Sequence, residues 1–234
     1  MRTTFRLAAG MLSALATAGS AAAAPCDTLI MQTRDYGPTT PNFTQLLTFD
    51  QYHGPLSDIC EIKVKLQLEI EGGRLGVDND GADPATVTVR LGATSAITST
   101  DVTLLNSSFQ PVTGTAEAFT QSVFNLAGDN GDGPGNIDIS PPDGAVHFGG
   151  QASDMRMGLI HSLFWPGFVG PGTFDIRVNA NQILDFGSVG GVEGEFTPVL
   201  ARGNVMVIYT IPDPATLAML GLGAAAYLGR RRFR

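Results

Sequence analysis

Six aspartates in two short windows are candidate ligands: Asp78, Asp80 and Asp83 in GVDNDGADP, and Asp129, Asp132 and Asp138 in AGDNGDGPGNIDISPPDG. Clustered carboxylates and amides on loops are the hard oxygen donors that Ca²⁺ takes, about six to eight of them at about 2.3–2.6 Å. Neither window follows the ligand order of an EF-hand loop, which closes on a bidentate glutamate. Asp, Asn and Gly are also the residues that turns use for their own geometry. Turn chemistry is the favoured reading, bound Ca²⁺ is the alternative, and no other cofactor is expected.

A second candidate is HSLFWPGFVGPG, which holds the only tryptophan, Trp165, with Phe164 and Phe168 beside it. Exposed aromatics of this kind stack on sugar rings; buried ones fill a core or pin a Pro/Gly turn, which is the commoner use. Catalysis has less to stand on. His53, His147 and His161 sit in no zinc-binding HExxH pattern and beside no GxSxG elbow. A glycosidase needs two carboxyls about 5–10 Å apart, a separation that sequence does not display. The expectation is a protein that is not an enzyme, with a glycoside hydrolase as the most distant alternative.

The two cysteines, Cys26 and Cys60, form an even count. In an oxidising compartment this reads as a disulfide. It closes a loop of about 35 residues and stabilises by roughly 4 kcal/mol through chain entropy. The rival reading is acylation of Cys26, which would place Pro25 where a lipobox takes Gly or Ala and leave Cys60 unpaired.

These side chains need a scaffold, and the scaffold reads as strands. In EIKVKLQLEIE, Glu61 to Glu71, the apolar Ile62, Val64, Leu66, Leu68 and Ile70 alternate with charged and polar residues. A period of two over eleven residues is a strand with one face in the core and one in water. Gly72 and Gly73 end it, and RLGV is expected to return as its hairpin partner. Pro84 opens a further strand, ATVTVRL, and Asn204 to Ile211 is another β-branched run. Weaker strands fit Thr28 to Gln32, Phe43 to Phe49, Asp101 to Leu105, Glu117 to Phe124, Thr173 to Val178 and Gln182 to Phe186. Ala127 to Gly144 is too rich in Gly, Pro and Asp for a core and reads as a long surface loop. Many short strands between Gly/Pro/Asn/Asp turns predict an all-β fold, an antiparallel β-sandwich of jelly-roll-like kind, over residues 24–210.

Both ends differ from this middle. Arg2 and Arg6, the apolar run Leu7 to Ala18 and the small residues to Ala24 have the order of a secretory signal peptide, residues 1–23, for removal by signal peptidase. At the other end a Pro-Asp-Pro turn (Pro212, Asp213, Pro214) leads into the apolar Ala215 to Leu228 and the basic Arg230, Arg231, Arg232 and Arg234. As a helix that apolar stretch is about 21 Å long, against about 30 Å of hydrocarbon, short for a permanent anchor. Arginines beyond it would hold that end in the cytoplasm and leave the domain outside. The chain carries net charge −8; without Arg2, Arg6, the four tail arginines and Asp213 it holds 8 basic and 21 acidic residues, net −13. So acidic a domain is repelled by phosphate backbones, which excludes nucleic acid as a partner.

The segment IPDPATLAMLGLGAAAYLGRRRFR resembles the PEP-CTERM sorting signal of exopolysaccharide-producing Gram-negative bacteria, with Asp213 where that signal usually has Glu. The resemblance implies recognition by a membrane-embedded exosortase and removal of the tail, residues 211–234. A plain, uncut C-terminal anchor is the alternative. TRDYGPTTPNFTQLLTFDQYHGPLSDICEIKVKLQLEI and GVDNDGADPATVTVRLGA resemble a choice-of-anchor domain of type E, on Phe43, Phe49, Asp50, Gly54, Leu56, Asp78 and Asn79. That resemblance implies an extracellular β module and no activity. Together they predict an exported, non-catalytic protein of the cell envelope, outer surface or exopolysaccharide matrix. A carbohydrate-binding module with extracellular polysaccharide as partner is the alternative.

Overall fold

The computed structural model describes residues 26–131, 133–187 and 190–213. The expected signal peptide, Asp132, Pro214 and the tail with its arginines lie outside the described residues.

Eleven strands are described: β1 Cys26–Thr39, β2 Phe43–Asp50, β3 Glu61–Glu71, β4 Arg74–Asn79, β5 Ala85–Thr98, β6 Ala116–Leu126, β7 Gly144–Phe148, β8 Gln151–Leu159, β9 Thr173–Asp185, β10 Val192–Thr197 and β11 Leu200–Pro212. They make three antiparallel sheets, ordered β1-β11-β3-β8, β2-β9-β5-β6 and β10-β4-β7. With β4, β7 and β10 set aside, the other eight alternate between the two larger sheets as a jelly roll does, so that consecutive strands mostly cross the sandwich.

The core is the sum of the inward faces. On β3 the alternation is strict: Ile62, Val64, Leu66, Leu68 and Ile70 are buried and their neighbours are half-buried. Opposite them lie Val87, Val89 and Leu91 of β5 and Phe174, Ile176 and Val178 of β9. Phe49 and Phe168 pack on Phe174, at ring-centroid distances of 5.7 and 5.1 Å. Tyr36 is the one buried residue of a β1 that is otherwise exposed or half-buried, and its hydroxyl donates to the Gln67 carbonyl at 2.7 Å.

The third sheet explains why three connections run long. Glu71 faces both Leu200 and Gln151, and Ala85 faces Leu126. The β3–β5, β6–β8 and β9–β11 connections therefore leave from the same end of the sandwich, and each contributes one strand to β10-β4-β7. The opposite end carries the disulfide and the point where the chain leaves toward its tail.

Several expectations need correction. RLGV does not fold back on β3; it lies in β4, which pairs with β7 and β10. The positive φ of Gly72 and Gly73, +71° and +82°, turns the chain out of the first sheet instead of closing a hairpin. Asp101 to Leu105 forms no strand: one isolated bridge, Leu105 to Pro111, is its only ladder contact. Thr173 to Val178 and Gln182 to Phe186 belong largely to one strand, β9, and β7, β8 and β10 had no sequence expectation. The short β7 and β10 alternate too briefly to show a period, and β8 carries exposed Met155, Met157 and Leu159 on one face and Asp154 and Arg156 on the other, so no apolar/polar alternation marks an inward face.

Candidate functional site

Where the chain leaves the domain is set by β11, which lies between β1 and β3. Cys26 stands opposite Pro212, and Glu61 opposite Thr210. The Cys60 N–H donates to the Thr210 carbonyl at 2.9 Å. The expected disulfide is present, joining Cys26 to Cys60 with their Cα atoms 6.2 Å apart. It therefore ties β1 to the entry of β3 across the end of β11, at the last strand residues before the tail. Pro212 and Asp213 are half-buried there.

At the opposite end the two aspartate windows come together around the third sheet. Asp129 donates its N–H to the Gly81 carbonyl at 2.9 Å, and the Asn79 side chain donates to the Asp83 carbonyl at 3.0 Å and to the Ala127 carbonyl. Much of this is turn geometry. Asn79 Oδ1 accepts from Gly81 N, Asp129 Oδ1 from Gly131 N and Asp138 Oδ1 from Ser140 N, each two residues on. Contacts from Ser140 hold the Asp138 carboxyl below its usual range. Asp83 is exposed. Asp143, which sequence reasoning passed over, is buried with both oxygens engaged by Asn130, at 2.7 and 3.0 Å.

Asp78 is different. It is a strand residue only 1% exposed; Oδ2 accepts from the Asp138 N–H at 2.6 Å, while Oδ1 is buried with no hydrogen-bond partner. Directly across the ladder from it stands Glu193 of β10. Among the described residues no three His, Cys, Asp or Glu side chains gather as a metal-binding group.

The aromatic candidate divides. Phe168 is buried, and Trp165 is half-buried with its indole N–H given to the Ile160 carbonyl at 3.0 Å, so both are structural. The exposed aromatic next to this segment is Phe109, 56% exposed and held at φ +56°. Asn106 imposes that conformation, accepting from Ser108 N and Gln110 N through its side chain and from Phe109 N through its carbonyl. A bulky residue with positive φ is strained, and such strain collects at functional sites. The Phe109 ring lies 5.5 Å from that of His161 and edge-on to Phe164 at 6.1 Å. Beside them an open groove of about 570 Å³ is lined by Asn106, Ser107, Ser108, Met157, His161 and Ser162 among others. Nothing in NSSFQP signals this arrangement, because it needs the 99–115 connection laid against the segment after β8.

The histidines stay apart. His53 is exposed, His161 caps a short 3₁₀ turn by accepting from Leu163 N at 3.2 Å, and His147 is buried on β7. His147 bonds to Thr120 and Ser122 hydroxyls at 2.9 and 2.8 Å, and burial pushes its pKa down. Among the described residues no helix is long and apolar enough to cross a membrane.

Comparison with known proteins identifies the tail. The family model of the PEP-CTERM protein-sorting motif matches residues 210–232, so the motif begins on the last paired residues of β11. It is a substrate signal for exosortase-type processing, and it marks an exported protein sorted at a membrane through its C-terminal segment. No curated protein matches the chain. Among solved structures, infectious bursal disease virus of the Gx strain aligns at 13% identity over 82% of this chain and 43% of that one, with a TM-score of 0.14. The Gt strain aligns at 14% identity over 82% and 42%, with a TM-score of 0.11. The chain thus spans about two fifths of the length of those proteins, and likenesses at such scores carry no argument.

Proposed function

We propose that this protein is a non-catalytic module of the cell envelope or extracellular polysaccharide matrix of a Gram-negative bacterium, of choice-of-anchor type. An exosortase-type enzyme releases it from a transient membrane tether. The observation that carries this reading is the sorting motif at residues 210–232, joined without a linker to the central strand of a disulfide-bonded sandwich. A disulfide suits the oxidising side of a membrane. A tether that continues a middle strand, rather than a loose end, starts from a fixed point on the folded domain.

Intact-mass measurement of the protein recovered from its host, fraction by fraction, tests this. Loss of about the first 23 residues together with those beyond Pro212 is the expected result. A chain still ending at Arg234 in the membrane fraction would make the tail a plain anchor and end the sorting reading.

A second reading, carbohydrate binding, is favoured by one observation: a strained, exposed Phe109 beside His161 and a groove in which Asn106, Ser107, Ser108 and Ser162 stand among apolar residues such as Val112, Met157 and Leu159. An aromatic face next to polar donors is the chemistry that stacks on and orients a sugar ring. Binding to a polysaccharide panel that disappears in Phe109→Ala but persists in Trp165→Phe supports it. Equal binding by wild type and Phe109→Ala rejects it.

A further inference from the structure

The acidic end of the sandwich contains a buried carboxylate oxygen that has no hydrogen-bond partner among the described residues. Asp78 is 1% exposed, and its Oδ1 has no hydrogen-bond partner. Burying a charged oxygen without a partner costs several kcal/mol, so buried carboxylates are paired with cations or coordinate metal ions. Among the described residues no lysine or arginine pairs with it. Residues 75–89, 124–150 and 186–198, which build most of this end, contain no lysine or arginine. Arg74, at the start of β4, is engaged by Glu195.

Asp78 also faces a like charge. Glu193 is its register partner on β10, which places their Cβ atoms about 4.5–5.5 Å apart, and like charges so placed repel. Over the pair runs the strap Gly133–Asp138. It is fastened at one end by the Asp138 N–H to Asp78 Oδ2 at 2.6 Å and near the other by the Gly135 N–H to Glu193 Oε2 at 3.1 Å. Its backbone lies so close to β7 that a Cβ on Gly144 would stand 2.0 Å from the Asp138 carbonyl oxygen. One carboxylate from each of two neighbouring strands, with one oxygen left over on the buried member, lies under a Gly/Pro strap whose N–H groups hold both, and no salt bridge to Asp78 is formed among the described residues.

We propose that this site binds Ca²⁺ between Asp78 and Glu193, under the Gly133–Asp138 strap. The donors are all hard oxygens, which select Ca²⁺ over the transition metals. Two carboxylates leave room for strap carbonyls and water to complete a coordination of about six to eight. A Kd of about 10⁻⁴–10⁻³ M, usual for extracellular modules, is expected from so few charged ligands. The ion would lock the β6–β8 connection onto β4 and β10, so that this end of the domain is rigid only where calcium is plentiful, outside the cell.

The test is calorimetric titration of the full-length chain in detergent, stripped with EDTA, with CaCl₂ as the probe, alongside thermal melts. Saturable binding and a rise in Tm of about 5 °C or more at saturating Ca²⁺ are expected. Asp78→Asn should weaken Ca²⁺ binding about ten-fold or more, and Glu193→Gln by a smaller factor, because each removes a charged ligand. Asp83→Asn, at an exposed position, should leave it unchanged. No saturable heat and an unmoved Tm up to about 10 mM Ca²⁺ would overturn the proposal on wild-type protein alone. Unaltered Ca²⁺ affinity in Asp78→Asn or, should that variant not fold, in Glu193→Gln would overturn it equally.

Discussion

Removing the disulfide makes a sharp prediction because its geometry separates two effects. Cys26 and Cys60 are 34 residues apart in the chain. By loop entropy, releasing a loop of that length from the unfolded state lowers stability by about 4 kcal/mol. For a domain of this size about 1 kcal/mol corresponds to about 2–4 °C, so the double variant Cys26→Ala/Cys60→Ala should melt about 8–16 °C lower. The folded state gives the same change a local signature. The first half of β1 is largely exposed, and Tyr36 is the one residue of the strand that is buried. Without the crosslink, residues 26–33 rest on ladder hydrogen bonds to β11 and on the two bonds between the Gln32 side chain and the Asp50 backbone, with little buried apolar area behind them. Circular dichroism melts read the global effect. Amide exchange reads the local one, which should appear as faster exchange in β1 and at Thr210 to Asp213 than in β3 or β5. A fall in Tm below about 3 °C would refute the loop-entropy reasoning. Uniform loss of protection across both sheets would refute the claim that the bond guards the exit to the tail.

Two pH predictions follow from buried side chains. Burial pushes the Tyr36 hydroxyl up to about 12 and raises that of Tyr209 as well. The fold therefore holds these protons where the unfolded chain, near its ordinary value of about 10, gives them up. Their contribution is complete below pH 10, falls as pH rises through 10 to 12, and shows as a dropping urea midpoint over that window. Tyr36→Phe should cost about 1–2 kcal/mol at pH 7 through its lost bonds to Gln67 and Ser95, yet show a shallower alkaline fall; an unchanged slope would count against the assignment. His147 has the opposite sign. Its depressed pKa means the unfolded chain takes the proton first, so its contribution is intact above about pH 6.5 and lost as pH drops below that. His147→Gln, which can still bond to Thr120 or Ser122, should flatten denaturant midpoints between about pH 6.5 and 5, and an acid limb identical to wild type would exclude His147 as its source.

What the sequence determined by itself was whatever local chemistry can carry. The strict period of two from Glu61 to Glu71 placed Ile62, Val64, Leu66, Leu68 and Ile70 inward, because successive strand side chains point to opposite faces. An even cysteine count paired Cys26 with Cys60, and a contiguous motif marked the tail. Strand partners were another matter. A cross-strand pair contributes only about 0.2–1 kcal/mol, so no single residue of RLGVDN announces that its partners are Gly144–Phe148 and Val192–Thr197 rather than the strand just before it. Only the closing of the sandwich brought those three connections to one end. That placement turned Asp78 from a turn residue into a buried carboxylate facing Glu193, and set Phe109, rather than Trp165, at the rim of a groove.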